Sequence, residues 1–289
     1  MIWRRVMFAV SGLEQLPAHV LDRVGRIARG LDAHIELFHC LYEPEAVQDA
    51  SREHSAEVIA ARVEERRRRL ERLADALRDQ GLRVGASVRW DFPTHEAIIR
   101  HSLRYKPDLL IVPAIRLDET PRALGYRESQ LIATCPSPVL FLKTREVYSG
   151  RSIVAAVAQP DHEAADLDER ILGAARTMAH ALAESPVCVF CVAAAENRIR
   201  PLALRHDVSS QDVHVESGEP VAALAAYARK SRAQMIVLGV TAQAPCESSS
   251  DHLAQRVLDI VECDVLVVRP RDQPVTVDSE AAPAVPHPG

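Results

Sequence analysis

The residues best placed to do chemistry lie between Gly239 and His252, in the run GVTAQAPCESSSDH. Four of them, Gly239, Thr241, Ser250 and His252, are the types that cradle a phosphate. A glycine lets backbone N–H groups approach an anion, and hydroxyl and imidazole groups add donors. The run follows the apolar segment Met235–Leu238 and precedes a helical pattern over about Asp251–Val261. A loop after a buried strand, opening onto a helix N-terminus, is where α/β folds bind anions. Other chemistries fit less well. Ser248 to His252 include the residue types of a hydrolytic triad, but close sequence neighbours cannot adopt its relay geometry, and a helix N-cap is the simpler role for Ser250 or Asp251. Cys246, Asp251 and His252 lack the fourth ligand that a structural zinc site needs. Cys188 and Cys191 have redox spacing, but on a strand residues three apart point to opposite faces, so they read as buried hydrophobes. In the related loop of the first half, Arg116, Asp118, Glu119 and Arg122 form either an anion site or a polar surface.

The elements that position these residues occur twice. The unit strand, loop, helix, strand at Gln234–Pro270 repeats one at Asp108–Lys143. Upstream, Val20, Val24, Ile27 and Leu31 share one helix face, and Ile171, Ala175, Met178 and Leu182 follow with Val20 and Ile171 separated by 151 positions. Strands HIELFHCL and PVCVFCVA keep that offset. At 289 residues and 47% hydrophobic content the chain suits two ordinary cores. Each half reads as β-α-β-α-β-α-β-α-β, which predicts an α/β fold of two five-stranded parallel sheets with helices on both faces. The expected boundaries are 1–148, 149–271 and a disordered, proline-rich tail at 272–289. The second half is 24 residues shorter between its strands two and three: Cys40 to Pro93 spans 53 positions and Cys191 to Pro220 spans 29. The long helix expected over Ser51–Gln80 is replaced there by AENRIRPLALRHDVSS, in which Pro201 argues for a loop or an open groove beside Arg198–Arg205.

A net charge of −5 argues against a nucleic-acid binder. The Arg66–Arg69 run follows Glu64 and Glu65 at helical spacing and reads as a solvated face. The N-terminal apolar run is too short for a signal peptide, and no stretch is long enough to span a membrane. Six cysteines without framework spacing suit a reducing cytosol.

Three segments carry a family resemblance: CPSPVLFLK (Cys135–Lys143), VRWDFPTHEAII (Val88–Ile99) and QRVLDIVECDVLVVRP (Gln255–Pro270). The chain resembles tandem members of the universal stress protein family. That resemblance implies a cytoplasmic stress-response protein with two flavodoxin-like domains paired through their fifth strands, and a fold in which some members bind ATP. ATP-binding members carry an aspartate after strand one and a glycine-rich loop after strand four that ends in glycine and a hydroxyl residue. Here the aspartate position holds Ser11 and Ala158. The loop positions hold Pro113, Arg116 and Gly125-Tyr126 in the first half, and Gly239, Ala242 and Asp251-His252 in the second. The expectation is therefore a non-enzymatic ligand- or partner-binding protein whose only candidate cofactor is ATP, in the second half alone. Slow ATP hydrolysis in that half, or carriage of an apolar small molecule in the groove beside Arg198–Arg205, are the alternatives. The expected partner of each half is the other half, with a homodimer of whole chains a further option.

Overall fold

The computed structural model describes residues 2–13, 16–46, 52–114, 125–143, 148–157, 165–183, 185–240 and 249–270. The expected tail and the loop residues 115–124 and 241–248 lie outside them.

In the first half the elements are β1 (Arg5–Ala9), α1 (Ala18–Leu31), β2 (His34–Leu41), α2 (Arg52–Arg78), β3 (Arg83–Trp90), α3 (Thr94–Tyr105), β4 (Leu109–Pro113), α4 (Tyr126–Thr134) and β5 (Val139–Leu142). The second half repeats the order as β6 (Ile153–Val157), α5 (Ala165–Ala181), β7 (Val187–Val192), α6 (Glu196–Arg205), β8 (Val213–Glu216), α7 (Pro220–Lys230), β9 (Met235–Gly239), α8 (Ser249–Ile260) and β10 (Asp264–Val268). Every neighbouring pair within a half is parallel. The strands β1, β4, β5, β6, β9 and β10 are almost wholly buried, as apolar strands covered on both faces must be. Alternate side chains feed two cores. Val6, Phe8 and Val10 join α1, α2, α5 and α6 on one face, while Met7 and Ala9 join α3, α4, α7 and α8 on the other.

The two sheets become one. β5 pairs antiparallel with β10, with Phe141, Leu140 and Val139 opposite Val265, Leu266 and Val267, giving ten strands in the order β3-β2-β1-β4-β5-β10-β9-β6-β7-β8. The last strands therefore satisfy each other's edges, as expected of two apolar edges held on one chain. A buried polar cluster fastens the seam. Asp264 on β10 pairs with Arg23 on α1 and accepts from the Tyr148 hydroxyl and, at 2.8 Å, from the Lys143 backbone N–H. The Arg23 guanidinium lies over the Tyr148 ring, 4.5 Å from its centroid. Both charges are almost inaccessible to water, so each depends on the other for compensation.

The expected loop or groove in the second half is corrected. Glu196–Arg205 is a helix that contains Pro201 and buries Ile199, Leu202 and Ala203 against the sheet. Proline forfeits one hydrogen bond in a helix interior. Here burial of three apolar side chains holds the helix, an ion pair from Asp168 to Arg198 ties it to α5, and a 3.0 Å contact between Glu169 and the Nε2 of His206, at the helix C-cap, adds to it. The space proposed for an apolar ligand is filled by the protein's own side chains.

Candidate functional site

In the first half the strand order reverses at β1, whose neighbours β2 and β4 diverge to opposite sides. Such a switch point leaves a crevice at the carboxyl ends of the strands. A cavity of about 210 Å³ lies there, lined by Ser11, Gly12, His39, Cys40, Thr94 and Arg127 among others. The His39 Nδ1 donates to the Val10 carbonyl at 2.9 Å, and burial pushes the imidazole below its ordinary pKa, so it stays neutral. The Cys40 thiol donates to the Asp91 carbonyl at 3.1 Å, and burial, reinforced by the Asp91 charge, pushes it up to about 11. A thiol held protonated in this way is a poor nucleophile.

The position where a phosphate would meet the N-terminus of α4 is already taken. Gly125 is the residue before the helix, and Glu128 is the third residue in it. A β-carbon on Gly125 would lie 2.7 Å from Glu128 Oε2, although the Gly125 φ of −68° suits any residue. The glycine makes room for the carboxylate, which folds back over the helix start as acids at this position do. Arg127 donates to Glu128 Oε1 at 2.8 and 2.6 Å, so the cation nearest the cavity is neutralised by its neighbour. Tyr126, at the place of the expected small hydroxyl, is exposed and sets the edge of its ring against His95, 5.3 Å between centroids. Pro113 ends β4 and offers no N–H.

The second half fills its site differently. Gly239 ends β9, and a β-carbon there would fall 2.6–2.7 Å from three side-chain carbons of Leu167, near the start of α5. Leu167 is itself 2% exposed. The glycine of the expected phosphate cradle is thus occupied by packing, and its missing side chain accommodates a leucine. Thr241, Ala242, Cys246 and Ala158 lie outside the described residues. Ser250 and His252 stand in the first turn of α8, and their side chains lie outside the described residues. Because α8 begins at Ser249, Ser250 and Asp251 belong to the helix and do not precede it as caps.

The other candidates resolve plainly. Cys191 is buried in the core beneath α5 and α6, whereas Cys188 lies near Tyr227 on α7, on the opposite face. Burial raises both thiols, Cys191 to about 11. Glu64 pairs with Arg67 and Arg68, and Glu65 with Arg69, confirming a solvated face on α2. Among the described residues no cluster of ligand types could hold a metal, and no helix is long and apolar enough to cross a membrane. Sequence reasoning missed Glu128 and Leu167. The spacing Gly125-x-x-Glu128 could have revealed the first, but no local pattern marks the second.

The model of the universal stress protein family matches residues 3–143 and again 148–269. Universal stress protein E of Salmonella typhi is 24% identical over 235 residues, covering 70% of this chain and 74% of the relative. Universal stress protein E of Escherichia coli (strain K12) is likewise 24% identical, over 69% of this chain and 73% of its own. Among solved structures, a functionally unknown protein from Pseudomonas aeruginosa PAO1 shares 26% identity with a TM-score of 0.71, over 93% of each chain. A universal stress protein from Archaeoglobus fulgidus DSM 4304 shares the fold at 17% identity and a TM-score of 0.69, over 93% of this chain and 98% of that one. With the family matched twice and both matches built as one continuous sheet, the chain belongs to the universal stress protein family, as a tandem member carrying two of its domains.

Proposed function

We propose that this tandem universal stress protein serves a cytoplasmic stress response as a non-enzymatic binding protein, its working units being residues 1–148 and 149–271. It holds a ligand or partner and does not turn over ATP. The observation that carries the reading is the Glu128 carboxylate seated over the N-terminus of α4 and ion-paired to Arg127, where a nucleotide's phosphates would need both the helix start and a free cation. The protonated thiols of the buried Cys135 and Cys191 and the partly buried Cys40 and Cys263, each raised to about 11, support a protein without an activated cysteine nucleophile. The five described cysteines are free thiols, which suits a reducing compartment. Native mass spectrometry of the gently purified full chain, with a phosphate-release assay on the same sample, tests the reading. The expected result is a chain free of ATP that releases no phosphate above buffer. Retained ATP with turnover would overturn it.

A further inference from the structure

A second concavity lies at the opposite end of the strands from the phosphate-loop positions, where α7 and α8 both finish. It encloses about 250 Å³ and is lined by Arg151, Arg229 and Arg232, by the apolar surfaces of Ala228 and Ile260, and by one acid, Glu262. Arg229 and Arg232 stand together at one hollow whose lining holds a single acid, Glu262, on a chain of net charge −5. Arginine at the last turn of a helix is favoured by the helix dipole, which accounts for Arg229 alone. Arg151 precedes β6, and Arg232 follows α7 in the left-handed region at φ 50°.

The first half shows that the fold does not require this arrangement. Lys106, at φ 52°, ends α3 as Arg232 follows α7, and the two stand 126 positions apart, as do Leu109 and Met235 at the starts of β4 and β9. At that offset Arg229 corresponds to Leu103 and Glu262 to Pro136. The charged residues at 229 and 262 therefore belong to the second half only. Ile260 is 45% exposed at the rim and offers an apolar surface. Guanidinium groups beside an apolar wall recognise an anion that carries a hydrocarbon body, because the head takes charge-assisted hydrogen bonds while the body is removed from water.

We propose that this hollow is a binding site for a small organic anion. Its phosphate or carboxylate head is held by Arg229 and Arg232, and its aryl or alkyl body lies on Ala228 and Ile260. Glu262 opposes the head group and limits the charge the site accepts. The site is separate from the strand-end cavities, so it stands or falls independently of how those are used.

Calorimetric titration of the full chain with phenyl phosphate, benzoate and inorganic phosphate tests the proposal, with circular dichroism confirming that each variant is folded. Phenyl phosphate, benzoate or both should bind, and phenyl phosphate, if bound, should do so at least tenfold more tightly than inorganic phosphate. Arg229→Ala and Arg232→Asn, the latter chosen because asparagine tolerates positive φ, should each weaken binding of the preferred organic anion about tenfold. Glu262→Gln should tighten it. The proposal is overturned if neither organic anion binds at millimolar concentration, if both arginine variants bind as the parent does, or if inorganic phosphate matches phenyl phosphate.

Discussion

The two halves differ at two places around the loop after their fourth strand, a carboxylate at the helix start in the first and a leucine at the strand end in the second, and the difference separates electrostatics from packing. In the first half an internal carboxylate occupies a helix N-terminus and its arginine is drawn into the same pair, so the site is filled by charge. In the second half Leu167 fills the space beside Gly239, so the strand end is occupied by volume. A glycine kept at a family position therefore need not keep the family's reason. Gly239 is needed for a close approach, but the group that approaches is a leucine side chain.

The largest expected effect lies at the seam that holds the two halves in register. Asp264→Ala would remove the carboxylate paired with the buried Arg23 cation, and should destabilise the chain by about 3–5 kcal/mol in urea denaturation. The position 126 residues earlier is Pro138, which has no such charge, so the clamp is one-sided. A loss below about 1 kcal/mol would show that water or another acid compensates Arg23.

Next comes Gly239→Val, which forces side-chain carbons into Leu167 and should cost about 1–3 kcal/mol through overpacking. Leu167→Ala in the same chain should recover part of that loss, a coupling read from the double-mutant cycle. Additive effects would mean that Leu167 is not what the glycine accommodates.

Glu128→Gln removes the carboxylate from the start of α4 and should cost roughly 0.3–1 kcal/mol in thermal unfolding, while releasing Arg127 into the cavity. Anions should then bind the first half more tightly than in the parent, which calorimetry with inorganic phosphate would read. No gain would mean that the carboxylate is not what excludes them.

The smallest effect is a pH dependence confined to the first half. Burial holds His39 below its ordinary pKa, so the folded state takes up its proton less readily than the unfolded chain. The associated stability is complete above the unfolded value near 6.5 and is lost as pH falls through the folded value. The second half has Cys191, which carries no imidazole, at the equivalent strand position, 152 residues on. His39→Phe should therefore flatten the fall in stability below about pH 6.5, and an unchanged slope would assign it to other groups.

Much of the architecture was legible because parallel strands covered on both faces must be apolar throughout, as Met235–Leu238 and Val265–Val268 are, and because helices with one buried face repeat at helical spacing. The repeat itself identified the paired last strands. What escaped was contact between residues distant in sequence: Arg23 and Asp264 lie 241 positions apart, and Leu167 reaches the strand residue Gly239 from α5. Pro201 misled for the opposite reason. A local rule predicted a break, and tertiary burial of Ile199 and Leu202 overrode it.

If Glu128 at the helix start of the first half and Leu167 at the strand end of the second stand where a nucleotide's phosphates would have to come, neither half holds ATP. Isothermal titration of magnesium-ATP into the full chain tests it most directly. The account predicts no saturable heat up to millimolar nucleotide, whereas micromolar binding to the unaltered chain would contradict it.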